Sequence, residues 1–140
     1  MPLLNNIKLA LGLVAIIKSS YEGDNMSTFL TSFIFDKKEY DDEFYALDAK
    51  IEAFTKATPG FIGMESYTDP QSGRVINNYY WSSRSAMESL MKNVEHLKAK
   101  ELSGKWIAGY QVIIAKIEGV HNDNMSHPLS EIKMRYQGEQ

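Results

Sequence analysis

The chain has 140 residues, one domain by length and enough to bury about two-thirds of its unfolded surface. Its composition, 44% hydrophobic and 24% charged, is that of an ordinary globular protein. A net charge of −3, with acids concentrated between Asp36 and Glu52, argues against a nucleic-acid partner, which needs a basic face. The absence of cysteine excludes disulfides, thiolate metal sites and cysteine nucleophiles, and fits a reducing cytoplasm.

In chain order, "LALGLVAII" (9–17) comes first, an apolar run too short to span a bilayer and lacking the flanks of a cleaved signal. Leu3, Ile7, Ala10, Val14, Ile17 and Tyr21 share a helical stripe, so the expectation is an accessory helix docked on the domain rather than a membrane contact. Residues 1–25 are read as this helix and a linker, 26–120 as the domain and 121–140 as a polar tail without clear period.

"STFLTSFIF" (27–35) is rich in β-branched and aromatic residues and predicts a strand. Acids from Asp36 to Glu43 suit a helix start, and Tyr40, Phe44, Leu47, Ile51 and Phe54 then mark one helix face. "ATPGF" ends it, because the residue before proline is pushed out of the α region and the glycine can reverse the chain. "FIGMESYT" and "RVINNYYW" flank "DPQSG", which is hairpin chemistry. "SSRS" offers caps for a second helix with the stripe Ala86, Leu90, Val94 and Leu97, and "YQVIIAKIE" (110–118) is the last strand. This order predicts an α+β, ferredoxin-like βαββαβ fold. The first and last strands are apolar on both faces at Phe33-Ile34-Phe35 and Val112-Ile113-Ile114-Ala115, so a second subunit is expected to cover the open sheet face.

"PGFIGMES" (59–66), "YYWSSRSAM" (79–87), "NVEHLKAK" (93–100) and "KWIAGYQVIIAKIE" (105–118) appear in order on these elements. Through them the chain resembles the antibiotic biosynthesis monooxygenase (ABM) family, from about Thr28 to Val120. The resemblance implies a homodimeric α+β barrel with a pocket in each subunit between sheet and helices. It further implies either a cofactor-independent monooxygenase oxidising an electron-rich aromatic, a quinol or phenolic polyketide, with molecular oxygen, or a non-enzymatic ligand-binding or structural dimer. A third activity in the family is haem degradation. Its helix tryptophan falls on Leu90 here, its histidine ligand on Lys100, and the first strand contains no asparagine, so haem degradation is not expected.

His96, in the "EH" context of the resemblance, is the candidate catalytic base, since an imidazole titrating near neutrality can take a phenolic proton. On an unbroken second helix it lies off the apolar stripe, and it reaches the pocket only if the helix breaks near Asn93. Alternation puts Val75, Asn77, Tyr79 and Trp81 on one face of their strand and Ile76, Asn78 and Tyr80 on the other. Asn77, Asn78, Tyr79 and Trp81 are therefore substrate-binding candidates, with either face facing the pocket. Trp106 and Tyr110 are further candidates, as a pocket rim or as a plug at the barrel end. His121 and His127 lack the spacing of a metal pair. No cofactor, metal, nucleic acid or membrane partner is expected, and the localisation is expected to be cytoplasmic.

Overall fold

The computed structural model describes residues 27–95 and 103–132. The expected accessory helix and the end of the tail lie outside the described residues. The elements are β1 (Phe29–Lys37), α1 (Asp42–Ala57), β2 (Phe61–Thr68), β3 (Val75–Trp81), α2 (Arg84–Glu95), a single 3₁₀ turn (Ser103–Lys105) and β4 (Ile107–Lys116). The four strands form one antiparallel sheet in the order β2-β3-β1-β4. This is the α+β ferredoxin-like arrangement expected from the sequence.

Local chemistry explains each boundary. Asp41 caps α1, its Oδ1 accepting the Phe44 N–H at 2.8 Å, and Asp42 and Glu43 complement the helix dipole in the first turn. Thr58 leaves the helical region ahead of Pro59, and Gly60 takes a φ of +95° that a side chain rarely adopts. Space forbids a side chain at Gly60 as well, since a Cβ there would lie 2.6 Å from the Ala86 Cβ. The Gly60 carbonyl accepts the Ser82 N–H at 2.7 Å, which ties the end of the first βα unit to the start of the second. In the β2–β3 hairpin the Asp69 carboxylate accepts the Gln71 and Ser72 N–H groups, and Gly73 supplies the positive φ. Ser83 caps α2 by accepting the Ala86 N–H at 3.2 Å.

Thr31, Phe33 and Phe35 of β1 and Val75, Asn77, Tyr79 and Trp81 of β3 are buried on one sheet face. The core joins their apolar members to Phe44 and Ile51 of α1 and Ala86, Met87 and Leu90 of α2, so this is the face under the helices. The outer face carries half-buried Leu30, Ile34 and Ile76 and, on β4, Ile113 at 43% exposure.

The strand ends differ from the sequence reading. β1 runs on to Lys37 and β4 begins at Ile107, because Asp36 and Lys37 pair with Gly109 and Ile107 through backbone groups indifferent to side-chain polarity. The polar segment after β4 also packs on the protein. Leu129 is 4% exposed, and Pro128 touches Gly63 on the β2 side of the outer face.

Candidate functional site

Asn77 lies at the centre of the inner face, opposite Phe33 on one neighbouring strand and Ser66 on the other. It is completely buried, and neither its Oδ1 nor its Nδ2 meets a hydrogen-bond partner among the described residues. A buried amide in that state costs about 1–3 kcal/mol relative to a satisfied one. Buried polar groups are otherwise almost always paired. The same strand places Tyr79 two residues on and Trp81 four residues on, both buried on the same side.

The end of the site at Trp81 is held by a directed chain of hydrogen bonds. The Trp81 indole Nε1 donates to Thr31 Oγ1 at 3.2 Å, and the Thr31 hydroxyl donates to the Met87 sulfur at 3.1 Å. Thr31 spends its lone pair on the strand tryptophan and its proton on the helix thioether, so one hydroxyl joins β1, β3 and α2. Phe61 closes this end, with its ring edge-on to Trp81 at 5.4 Å between centroids. Asp48, at 7% exposure, is on the buried side of α1 with Phe44, Ile51 and Thr55. The sequence reading passed over it, although it stands four residues after Phe44 and three before Ile51 and so shares their phase.

The remaining candidates do not join this group. Asn78 is on the outer face, half-buried, opposite Ser32 and Glu65. Trp106 is at the far end of the sheet: Trp81 pairs with Phe29, whereas Ile107 pairs with Lys37. Eight residues of extended strand separate those ends by roughly 26 Å. Trp106 fills that end as a plug, edge-on to Phe44 at 5.6 Å with its Nε1 donating to Asp41 at 3.1 Å. Tyr110 is 46% exposed and meets the edge of Phe33 at 5.7 Å. His96 lies outside the described residues. An open depression of about 490 Å³, lined by Lys37, Lys38, Glu39, Tyr40 and Tyr45, sits beside the β1–α1 loop and takes in none of the inner-face residues. Among the described residues no cluster of three metal-ligating side chains occurs, and no helix is long and apolar enough to cross a membrane.

The outer face holds a second polar group that sequence reasoning missed. The Glu65 carboxylate accepts from the Tyr67 and Tyr80 hydroxyls and, at 3.0 Å, from His127 Nε2. Burial works to raise the Glu65 carboxyl, but the hydrogen bonds from the two phenols and the imidazole outweigh it and hold the group below the usual range. The Tyr80 hydroxyl is pushed well above its ordinary value, first by burial and then by its bond to Glu65, so it stays a donor at neutral pH.

No family model matches the chain. Among solved structures, SnoaB, a cofactor-independent oxygenase from Streptomyces nogalater, superposes with a TM-score of 0.55 at 13% identity, covering 69% of this chain and 99% of that one. The monooxygenase from the gene ActVA-Orf6 of Streptomyces coelicolor, in complex with nanaomycin D, gives 0.52 at 14% identity, covering 71% and 95%. The fold is that of the ABM family. At the level of sequence, the uncharacterized protein YqjZ of Bacillus subtilis is 31% identical over 83 residues, which are 59% of this chain and 72% of that protein. The chain belongs to the YqjZ family.

Proposed function

We propose that this chain is a cofactor-independent monooxygenase acting on an electron-rich aromatic, a quinol or a phenolic polyketide, as a cytoplasmic homodimer. The observation that carries the reading is the buried Asn77 amide beside Tyr79 and Trp81, whose donor and acceptor both lack partners among the described residues. An amide so placed costs stability in the empty protein and gains two hydrogen bonds when a ligand presents a hydroxyl and an oxygen acceptor to it. The likeness to SnoaB and the ActVA-Orf6 monooxygenase supports the class of reaction.

In the proposed reaction the amide holds the substrate oxygen while its hydroxyl proton passes to a base, the role assigned to His96. The anion then gives an electron to molecular oxygen. In a ring whose carbon para to the anion carries hydrogen, that carbon takes up the oxygen as a peroxide, and the peroxide loses water to leave a carbonyl. One oxygen atom enters the ring, the other leaves as water with the two hydrogens, and the phenol becomes a quinone. The protein supplies a dry, shaped site with fixed dipoles, and the substrate supplies the electrons.

Oxygen uptake with a panel of phenols and quinols tests this. The expected result is turnover well above autoxidation that is lost in Asn77→Leu and in His96→Ala, each shown to be folded. Tight binding of such compounds without oxygen uptake would instead make the protein a ligand-binding dimer of the same fold.

A further inference from the structure

On the sheet face turned away from Asn77, the segment after β4 is organised by two tight turns. The Asn122 side chain bridges the Met125 N–H and C=O, both at 2.9 Å, and the Ser130 N–H closes a turn on the His127 carbonyl at 2.9 Å. Between them, His127, Pro128 and Leu129 meet the sheet. The Leu129 N–H donates to His127 Nδ1 at 3.0 Å. That nitrogen is therefore the acceptor and Nε2 carries the proton, which points at Glu65 Oε2 at 3.0 Å. Pro128 fits because position 63 has no side chain: a Cβ on Gly63 would stand 3.0 Å from the Pro128 Cβ. Tyr80, opposite Gly63 in the β2–β3 register, sets its ring against the imidazole with centroids 5.3 Å apart.

We propose that residues 125–132 form a detachable strap, that Gly63, Glu65 and Tyr80 are its docking surface, and that the Glu65 carboxylate is its acid-sensitive catch. The proposal is independent of the reaction assigned to the inner face. Glu65 is the hub because it is the acceptor for all three donors, and only an ionised carboxylate accepts them together. Protonating it turns one acceptor oxygen into a donor facing donors. The catch therefore holds above the ordinary carboxylate range and is lost as pH falls through the lowered value that Glu65 has when docked.

Among the described residues the groups that bear on this titration are few. Tyr67 comes from β2, Tyr80 from β3 and His127 from the strap, while the next positions across the sheet, Asn78 and Ser32, are neutral. His121, Asp123 and Glu131 of the C-terminal segment are exposed, and Asp36 is paired with Arg74 on β1 and the β2–β3 hairpin. Protonating the imidazole would remove the acceptor for Leu129 while keeping the donor to Glu65, which loosens the turn but leaves the catch.

Amide hydrogen exchange on the full chain tests the proposal, with the Ser130 N–H, which bonds the His127 carbonyl and not its imidazole, as reporter and the β1 amides as a control for global opening. At pH 7 the Ser130 amide should exchange at least tenfold more slowly than an unstructured one, and this protection should be lost only as pH falls below the ordinary carboxylate range, while β1 stays protected. Glu65→Gln should remove it at every pH. Gly63→Val should also remove it, because the added side chain occupies the place of Pro128 without altering a charge. His127→Asn keeps a local acceptor but cannot reach Glu65, so its Ser130 protection at pH 7 should be lost as in Glu65→Gln, and full retention would count against the catch. Unchanged protection in Glu65→Gln, or loss of protection only together with β1, would overturn the proposal.

Discussion

Asn77 is the residue at which stability and function should separate. An apolar side chain of similar volume needs no hydrogen bonds, so Asn77→Leu should raise the unfolding free energy by about 1–2 kcal/mol, readable in urea denaturation, while abolishing ligand binding. A destabilised variant would mean that the amide finds partners in solution. Trp81 should behave in the opposite way. It is 2% exposed and anchors the chain through Thr31 to Met87, so Trp81→Ala should cost roughly 3–5 kcal/mol. The sequence showed that Asn77, Tyr79 and Trp81 share a face. It did not show which face, because Asn78 and Tyr80 give the other side the same mixture of amide and aromatic. The answer came from Phe44 and Ile51, far away in the chain, and from Met87 on the helix that follows the strand, which cover only the first set.

Among the elements, α1 has a pH-sensitive end. The Asp41 carboxyl is held below its usual range chiefly by the Phe44 N–H, with the Trp106 indole N–H adding to it and burial working against both. A group lowered in the folded state stabilises at pH above the ordinary carboxylate range, and that contribution is lost as pH falls through its own value. Asp41→Asn keeps an acceptor for the cap but has no charge to lose. Its stability should therefore be lower than wild type at pH 7 and vary less between pH 5 and pH 3, checked by thermal melts across that range. The helix itself was legible in the sequence from the spacing of Phe44, Leu47 and Ile51 and from the acids ahead of it. The strap was not, because its docking rests on a single imidazole, one proline and a missing side chain at Gly63, none of which leaves a periodic pattern. Asp48 was hidden for a related reason, a polar residue in an apolar phase that a stripe of hydrophobic residues does not record.

At the scale of the molecule, the strap reaches the β2 side of the outer face, while Leu30, Ile34 and Ile113 on the β1–β4 side keep apolar surface in contact with water. A second copy seated there is the proposed dimer. Ile113→Lys should shift sedimentation at micromolar concentration from twice the chain mass to the 15.9 kDa of one chain, with the far-ultraviolet spectrum unchanged. A wild-type protein that sediments at 15.9 kDa would sink the dimer. Within one chain, the two βα halves meet where the Gly60 backbone lies under the Ala86 methyl with no room for another carbon between them. Neither half can therefore drift alone in evolution. A side chain at the position of Gly60 would meet the Ser82 hydroxyl as well as the Ala86 methyl and would have to take a φ of +95°. Loss of the methyl alone therefore does not admit one, and a relative that enlarges Ala86 must reshape the turn before it. Relatives that keep this turn should therefore keep glycine at the first site and a residue no larger than alanine at the second.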